Sequence, residues 1–449
     1  MAVITLFLLH FFTVATGIAV VNVTPAPQLV LSPPSVAARP VVQAAAQPLP
    51  SADPAARIPG AAGLSARLNA VLAGSDTKIS GAVIDAAARR VLYGRNPDRP
   101  ATPASTTKLV TSVAVLATRG PEYRLTTKTV QGAPGRVVLV GGGDPTLAVR
   151  PPASLPGSAS LTELARQTAA ALRASGTARV KVDFDDTLYT GPRSAPGWKP
   201  NYIPDGEVAP VTALMVDQGR VAAGKRTRVA DPPATAAAVF AGLLRRQGVA
   251  ATRGARVRAH PSAAALGSVR SPPVSAMVEH LMTESDNDMA EAMVRQAALA
   301  RGRPASFAGG AQAVQEVLAG LRAAGGVTVF DGSGLSTRNR ITPLALARLA
   351  ALAAAPDHPG LRAAITGMPV AGFSGTLADR YAGPATRIGA GYVRAKTGTL
   401  DGVSTLAGMA YDVDGRLLAF AFMAGDGKGA VDPGRLDLLA AAVAGCGCG

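Results

Sequence analysis

Cysteine is almost absent from this 449-residue chain: only Cys446 and Cys448 are present, in the terminal AGCGCG. That spacing is too short for an easy intramolecular disulfide, and without a partner cluster it makes no zinc site. The tail is expected to be frayed and without catalytic part. Aromatic residues are also scarce, at 4%. The core must then be built from aliphatic side chains, with close backbone approach at many of the 49 glycines. Histidine is nearly missing too. His10 lies in the apolar leader, His260 and His358 each precede a proline, and His280 sits on an apolar helical run. No Gly-x-Ser-x-Gly elbow and no HExxH motif accompanies them, which argues against a Ser-His-Asp hydrolase and a zinc peptidase. VLVGGGDPTL lacks the following helix that would aim N–H groups at a phosphate. The sequence therefore calls for no cofactor and no metal.

Acidic residues are outnumbered 29 to 45, giving a net charge of +16. The arginines are dispersed and not interleaved with stacking aromatics, so nucleic acid is not the expected partner. A cationic surface suits an anionic cell envelope. The only long apolar run is the first 23 residues, followed by a Pro/Ala-rich tract over 24–60. It reads as a signal peptide or a membrane anchor leading into a linker, with a buried core helix as the third alternative. Both favoured readings export the remainder to the envelope, secreted or anchored.

At this length the chain divides into more than one globular unit. Leu64, Leu68, Val71 and Leu72 have helical spacing, and residues 79–94 read as a hairpin. A helix is expected to begin at Pro103, capped by Thr102, with Leu109, Val113 and Leu116 as its buried stripe. Residues 123–270 alternate short strand and helix signals, as an inserted α/β domain would. Helical periodicity then returns, broken at Ser285-Asp286-Asn287. Strands follow over GYVRAKTGTL and VSTLAGMAYDVDGRLLAFAFMAG, with a turn at Asp414-Gly415, and the chain ends in a helix.

Only 8 of the 45 basic residues are lysine, and one of them, Lys108, stands three residues after Ser105. On a helix the two share one face. Lysine can serve as a general base where its pKa falls by about three units, which arginine cannot manage. Burial, the helix dipole and a second cation, for which Lys396 is the candidate, would all push that way. A second Ser-x-x-Lys, Ser75 to Lys78, runs into a strand pattern that would put the two on opposite faces. Ser285 and Asn287 occupy the break between two helical runs, and Lys396-Thr397-Gly398 lies on a strand. There lysine can hold a carboxylate, Thr397 can donate a hydroxyl, and Gly398 leaves the strand edge open to a peptide backbone.

Ser-x-x-Lys, Ser-x-Asn and Lys-Thr-Gly in this order are the signature of penicillin-recognising serine enzymes. PASTTKLVTS, LVGGGDPTL, ESDNDMAEAMVRQ, DGSGLS and AKTGTLDGVSTLAG narrow it further. On these the chain, from about 64 to 444, resembles the class C low-molecular-mass penicillin-binding proteins, the D-alanyl-D-alanine carboxypeptidase/endopeptidase family. The resemblance implies an α/β (α+β) fold: a serine β-lactamase-like transpeptidase domain over 61–122 and 271–449, with an antiparallel sheet flanked by helices and a smaller α/β domain inserted at 123–270. It also implies Ser105 as the acylated nucleophile, Lys108 as its base, Ser285 as the proton shuttle to the leaving amine and Asn287 as an orienter of the acyl side. Lys396 and Thr397 would bind the terminal carboxylate, and the N–H groups of Ser105 and Thr399 would form the oxyanion hole. Leu335, Thr337 and Asn201 would bound the side-chain pocket; Thr337 intervenes before Arg338, and Asn201 stands where the family often has an acid. The implied partners are peptidoglycan peptides and β-lactams. A β-lactamase or esterase on the same scaffold and an inactive wall-binding protein are the competing readings.

Overall fold

The computed structural model describes residues 56–73 and 77–447. The leader, most of the Pro/Ala-rich tract and Ser75 lie outside them. Among the described residues no helix is long and apolar enough to cross a membrane.

The strands Val393–Leu400, Val403–Tyr411, Leu417–Gly425, Ile79–Asp85 and Val91–Arg95 form one sheet in that order, with every neighbouring pair antiparallel. Side chains alternate across a strand, and here both faces are covered. Phe420, Phe422 and Leu406 pack on one side with the helices Ala61–Leu72 and Gly434–Ala444. Ala419, Ala421, Ala407 and Met409 face the other, against the helices Thr107–Arg119 and Pro343–Ala354. The small residues on that second face let the alanine-rich helix 343–354 approach closely, which is how a chain poor in aromatics fills a core. Asp412 closes the hairpin at 412–416 by accepting from the Asp414 and Arg416 amides, with Gly415 at φ +82°.

A second five-stranded sheet is drawn from residues 126–270 and carries its own apolar cluster. Arg136–Val140, Arg179–Asp185 and Ala250–Arg256 run parallel; the helices Leu161–Ala174 and Pro232–Arg246 make the crossovers that parallel neighbours require. Ser160 caps the first of these by accepting from the Glu163 amide at 3.2 Å.

Two local expectations are corrected. Thr102 does not cap the helix after it: its hydroxyl accepts from Arg340, and a 3₁₀ turn, Ala104–Thr106, precedes the α-helix Thr107–Arg119. Cys446 is neither frayed nor free. It is buried in the cluster beneath the C-terminal helix and is disulfide-bonded, while Cys448 lies outside the described residues.

Candidate active site

Ser105 lies half-buried in the 3₁₀ turn, and the residue before it is strained. Ala104 has φ +47°, a left-handed conformation costly for a residue with a Cβ. Two close approaches hold it. A Cβ on Gly334, itself at φ +87°, would lie 1.9 Å from the Ala104 carbonyl oxygen. A Cβ on Gly398 would lie 2.9 Å from the Ser105 nitrogen and 2.2 Å from Thr405 Oγ1. Thr405 donates in turn to the Pro103 carbonyl at 2.8 Å. The Lys-Thr-Gly strand thus lies directly beside Ser105 because Gly398 has no side chain.

Lys108 is fully buried, and its Nζ has three oxygen partners: Ser105 Oγ at 3.0 Å, Asn287 Oδ1 at 2.7 Å and the Ser333 carbonyl at 2.7 Å. Burial lowers its pKa to about 8, against the opposing charges of Asp331, Asp286 and Glu291. The three partners differ in what they can give. Asn287 Oδ1 and the Ser333 carbonyl only accept, so they take both N–H groups of a neutral amine. The lone pair is left for the one partner with a proton to lose, the Ser105 hydroxyl.

Ser285 ends the helix Val274–Glu284 in a left-handed conformation (φ 59°), and Asp286 caps the next helix by accepting from the Met289 amide. This sharp break brings Asn287 to Lys108, while its Nδ2 donates to the Glu207 carbonyl at 2.9 Å. Lys396 is the second fully buried lysine, and of the eight only these two are buried. Burial, then the charge of Lys108, holds its pKa well below the usual lysine range. The expected effect of Lys396 on Lys108 therefore runs in the other direction, and burial alone carries the lowering at Lys108.

Two carboxylates not singled out from the sequence build the wall opposite. Asp331 accepts from Trp198 Nε1 (2.8 Å), the Ser336 and Gly334 amides, Asn339 Nδ2 and the Ser333 hydroxyl. Glu291 Oε1 accepts from the Gly332 and Ser333 amides at 3.0 and 2.8 Å, and so anchors the loop just before the Ser333 carbonyl that holds Lys108. Burial and the nearby Asp331 charge raise the Glu291 pKa to about 7, partly offset by Arg295.

Of the other expected residues, Thr397 Oγ1 pairs with Thr376 Oγ1 at 2.8 Å, a contact the sequence did not foretell, and Thr399 is exposed on the same strand. Leu335 is buried with Trp198, Tyr202 and Phe307, with Leu400 packed against them. Thr337 is exposed and bonds through its amide and hydroxyl to the Gly197 carbonyl; Asn201 is exposed and donates to Asp205.

The arrangement offers a hydroxyl beside a buried amine, next to the edge of the Lys-Thr-Gly strand, and relatives match the sequence over most of the chain. The sequence profile of the D-Ala-D-Ala carboxypeptidase 3 (S13) family matches residues 64–227 and 222–440. Carboxypeptidase Rv3627c of Mycobacterium tuberculosis is 39% identical over 412 residues, 89% of this chain and 87% of that protein. Carboxypeptidase DacB of Mycolicibacterium smegmatis is 38% identical over 415 residues, covering 88% and 87%. The fold is that of penicillin binding protein 4 from Haemophilus influenzae, at TM-score 0.68 and 19% identity, across 86% of this chain and 98% of that one. The chain belongs to the D-Ala-D-Ala carboxypeptidase 3 (S13) family.

Proposed function

We propose that this D-Ala-D-Ala carboxypeptidase works through an acyl-enzyme on Ser105, and that it also opens crosslinks in peptidoglycan stem peptides as a DD-endopeptidase. In this reading Ser105 Oγ attacks the carbonyl of the penultimate D-alanine and gives its proton to Lys108 Nζ. The N–H groups of Ser105 and Thr399 receive the developing oxyanion, where fixed donors count most. Ser285 relays that proton from Lys108 to the departing amine as the C–N bond breaks; Lys108, neutral again, takes a proton from the water that attacks the ester and returns it to Ser105 Oγ as the peptide leaves. Lys396 and Thr397 hold the terminal carboxylate, whose arrival supplies the counter-charge that a buried lysine lacks. β-Lactams acylate the same serine.

The observation that carries this reading is the 3.0 Å contact between Ser105 Oγ and a fully buried Lys108 Nζ whose remaining partners only accept. Export fits the charge of +16 and the apolar first 23 residues, which would act as a signal peptide or an anchor. The second sheet would belong to a domain inserted at 123–270 between the Ser105 and Ser285 motifs. Thr337 and Asn201 would face the side chain of the stem-peptide diamino acid, with Leu335 below them.

Mass spectrometry of purified muropeptides after digestion provides the test. The expected products are pentapeptides shortened by one alanine and dimers converted to monomers, both blocked by prior treatment with penicillin. Rapid turnover of nitrocefin by an enzyme that leaves these peptides intact would overturn the reading in favour of a β-lactamase.

A further inference from the structure

A cavity of about 1170 Å³ adjoins the Ser105 cleft and shares Ser285 and Asn287 with it. One wall is the turn Ser285-Asp286-Asn287 with His280 and Glu284; the opposite wall comes from 145–158 and 216–229 of the second-sheet segment. Ser105, Lys108, Lys396 and Thr397 do not line it. The two walls are tied together. Gln218 Nε2 donates to the Asp286 carboxylate, and Arg228 donates to the Gln218 carbonyl at 2.7 Å and pairs with the buried Asp288 at 2.9 Å.

The tie is strained. Asp217, Gln218 and Gly219 stand in succession at φ +51°, +54° and +64°. Two non-glycine residues in that region cost of the order of 1–3 kcal/mol each, and such strain concentrates at ligand sites. Arg228 adds an orphan: its side chain is 4% exposed, and its Nε is buried with no hydrogen-bond partner among the described residues.

The lining chemistry describes the ligand. Arg226 is neutralised by Glu207, and Arg228 by Asp288. Arg150 and Arg220 form no ion pair among the described residues, nor do Glu284 and Asp217, while Leu147, Val149, Val216 and Met289 supply apolar surface between them. Charges of both signs separated by apolar patches suit a zwitterionic peptide. D-alanine, the leaving group of the carboxypeptidase reaction, is far too small to use this volume.

We infer that the cavity binds the amine-side stem peptide of a crosslinked substrate, the strand released when the crosslink is cut. This rests on the function proposed above, since Ser285, the donor to the departing amine, stands at the cavity's edge. Arg220 and Arg150 take carboxylates of that strand, and Glu284 and Asp217 take its amines.

Two substrates separate this inference from the reading beneath it: a short peptide ending in D-Ala-D-Ala, and a purified crosslinked stem-peptide dimer. Arg220→Ala removes an unneutralised cation, and Ala222→Trp, at an exposed lining position, fills space without entering the core. Either variant is expected to raise KM for the dimer about tenfold while kcat/KM for the short peptide stays within about twofold of wild type. Unchanged dimer KM in both variants, or equal loss on both substrates, would overturn the inference. A wild-type enzyme that trims the short peptide and leaves the dimer intact would overturn it too, with the carboxypeptidase reading standing. Cleavage of neither substrate would remove that reading as well.

Discussion

Lys108→Arg loses acylation of Ser105 by about a thousandfold, within the range for loss of a positioned general base. Arginine stays protonated at any pH the fold survives, so it offers no lone pair to the Ser105 hydroxyl. It can still donate to Asn287 Oδ1 and the Ser333 carbonyl, so it preserves the charge state that the surrounding carboxylates oppose least. Because position 108 is fully buried and the guanidinium is bulkier, Lys108→Met serves as the companion. Methionine fits the space without a charge and removes the base by a different route. Time courses of fluorescent penicillin labelling, with circular dichroism as the fold control, check both. Labelling of the arginine variant at the wild-type rate would refute the role of the amine.

Asp331→Ala destabilises the fold by about 3–5 kcal/mol, the range for breaking a buried charged network. Its carboxylate satisfies donors from Ser333, Gly334, Ser336 and Asn339 of its own buried loop and from the distant Trp198, and each donor left unpaired costs about 1–3 kcal/mol before relaxation. Asp331→Asn is no rescue. Both carboxylate oxygens receive donors, so an amide turned either way sets its NH₂ against an N–H. The asparagine variant should therefore lose nearly as much. Trp198 is the sole tryptophan and its Nε1 bonds to this carboxylate, so urea denaturation followed by its fluorescence reads the site itself. A midpoint unchanged in both variants would show that the loop is held by something else.

The contact between Ser105 and Lys108 was legible because it is local: three residues apart on one helical run, the two have few ways to miss each other. Asn287 and Lys396 were legible as short motifs in suitable breaks and strands. What could not be read from the sequence is set by partners distant in the chain. Asp331 meets Trp198 across 133 residues, and Glu291 meets Ser333 across 42. Ala104 is left-handed with Gly334 packed against its carbonyl, and a 3₁₀ turn stands where capping rules would start the helix. Thr102 lost its expected cap to an arginine 238 positions away. The alternation of strand and helix over 123–270 was plain in the sequence. The order in which those strands pair was not, and neither was the cavity beside Ser285.

The pH dependence of penicillin acylation at Ser105 tests the whole account most directly. With Lys108 near 8, the neutral fraction grows tenfold for each pH unit below that value, so the second-order rate constant should climb from pH 6 to about 8 and then level off. A rate constant that stays flat from pH 6 to 9, or an adduct mapped by peptide mass spectrometry to any residue other than Ser105, would contradict it.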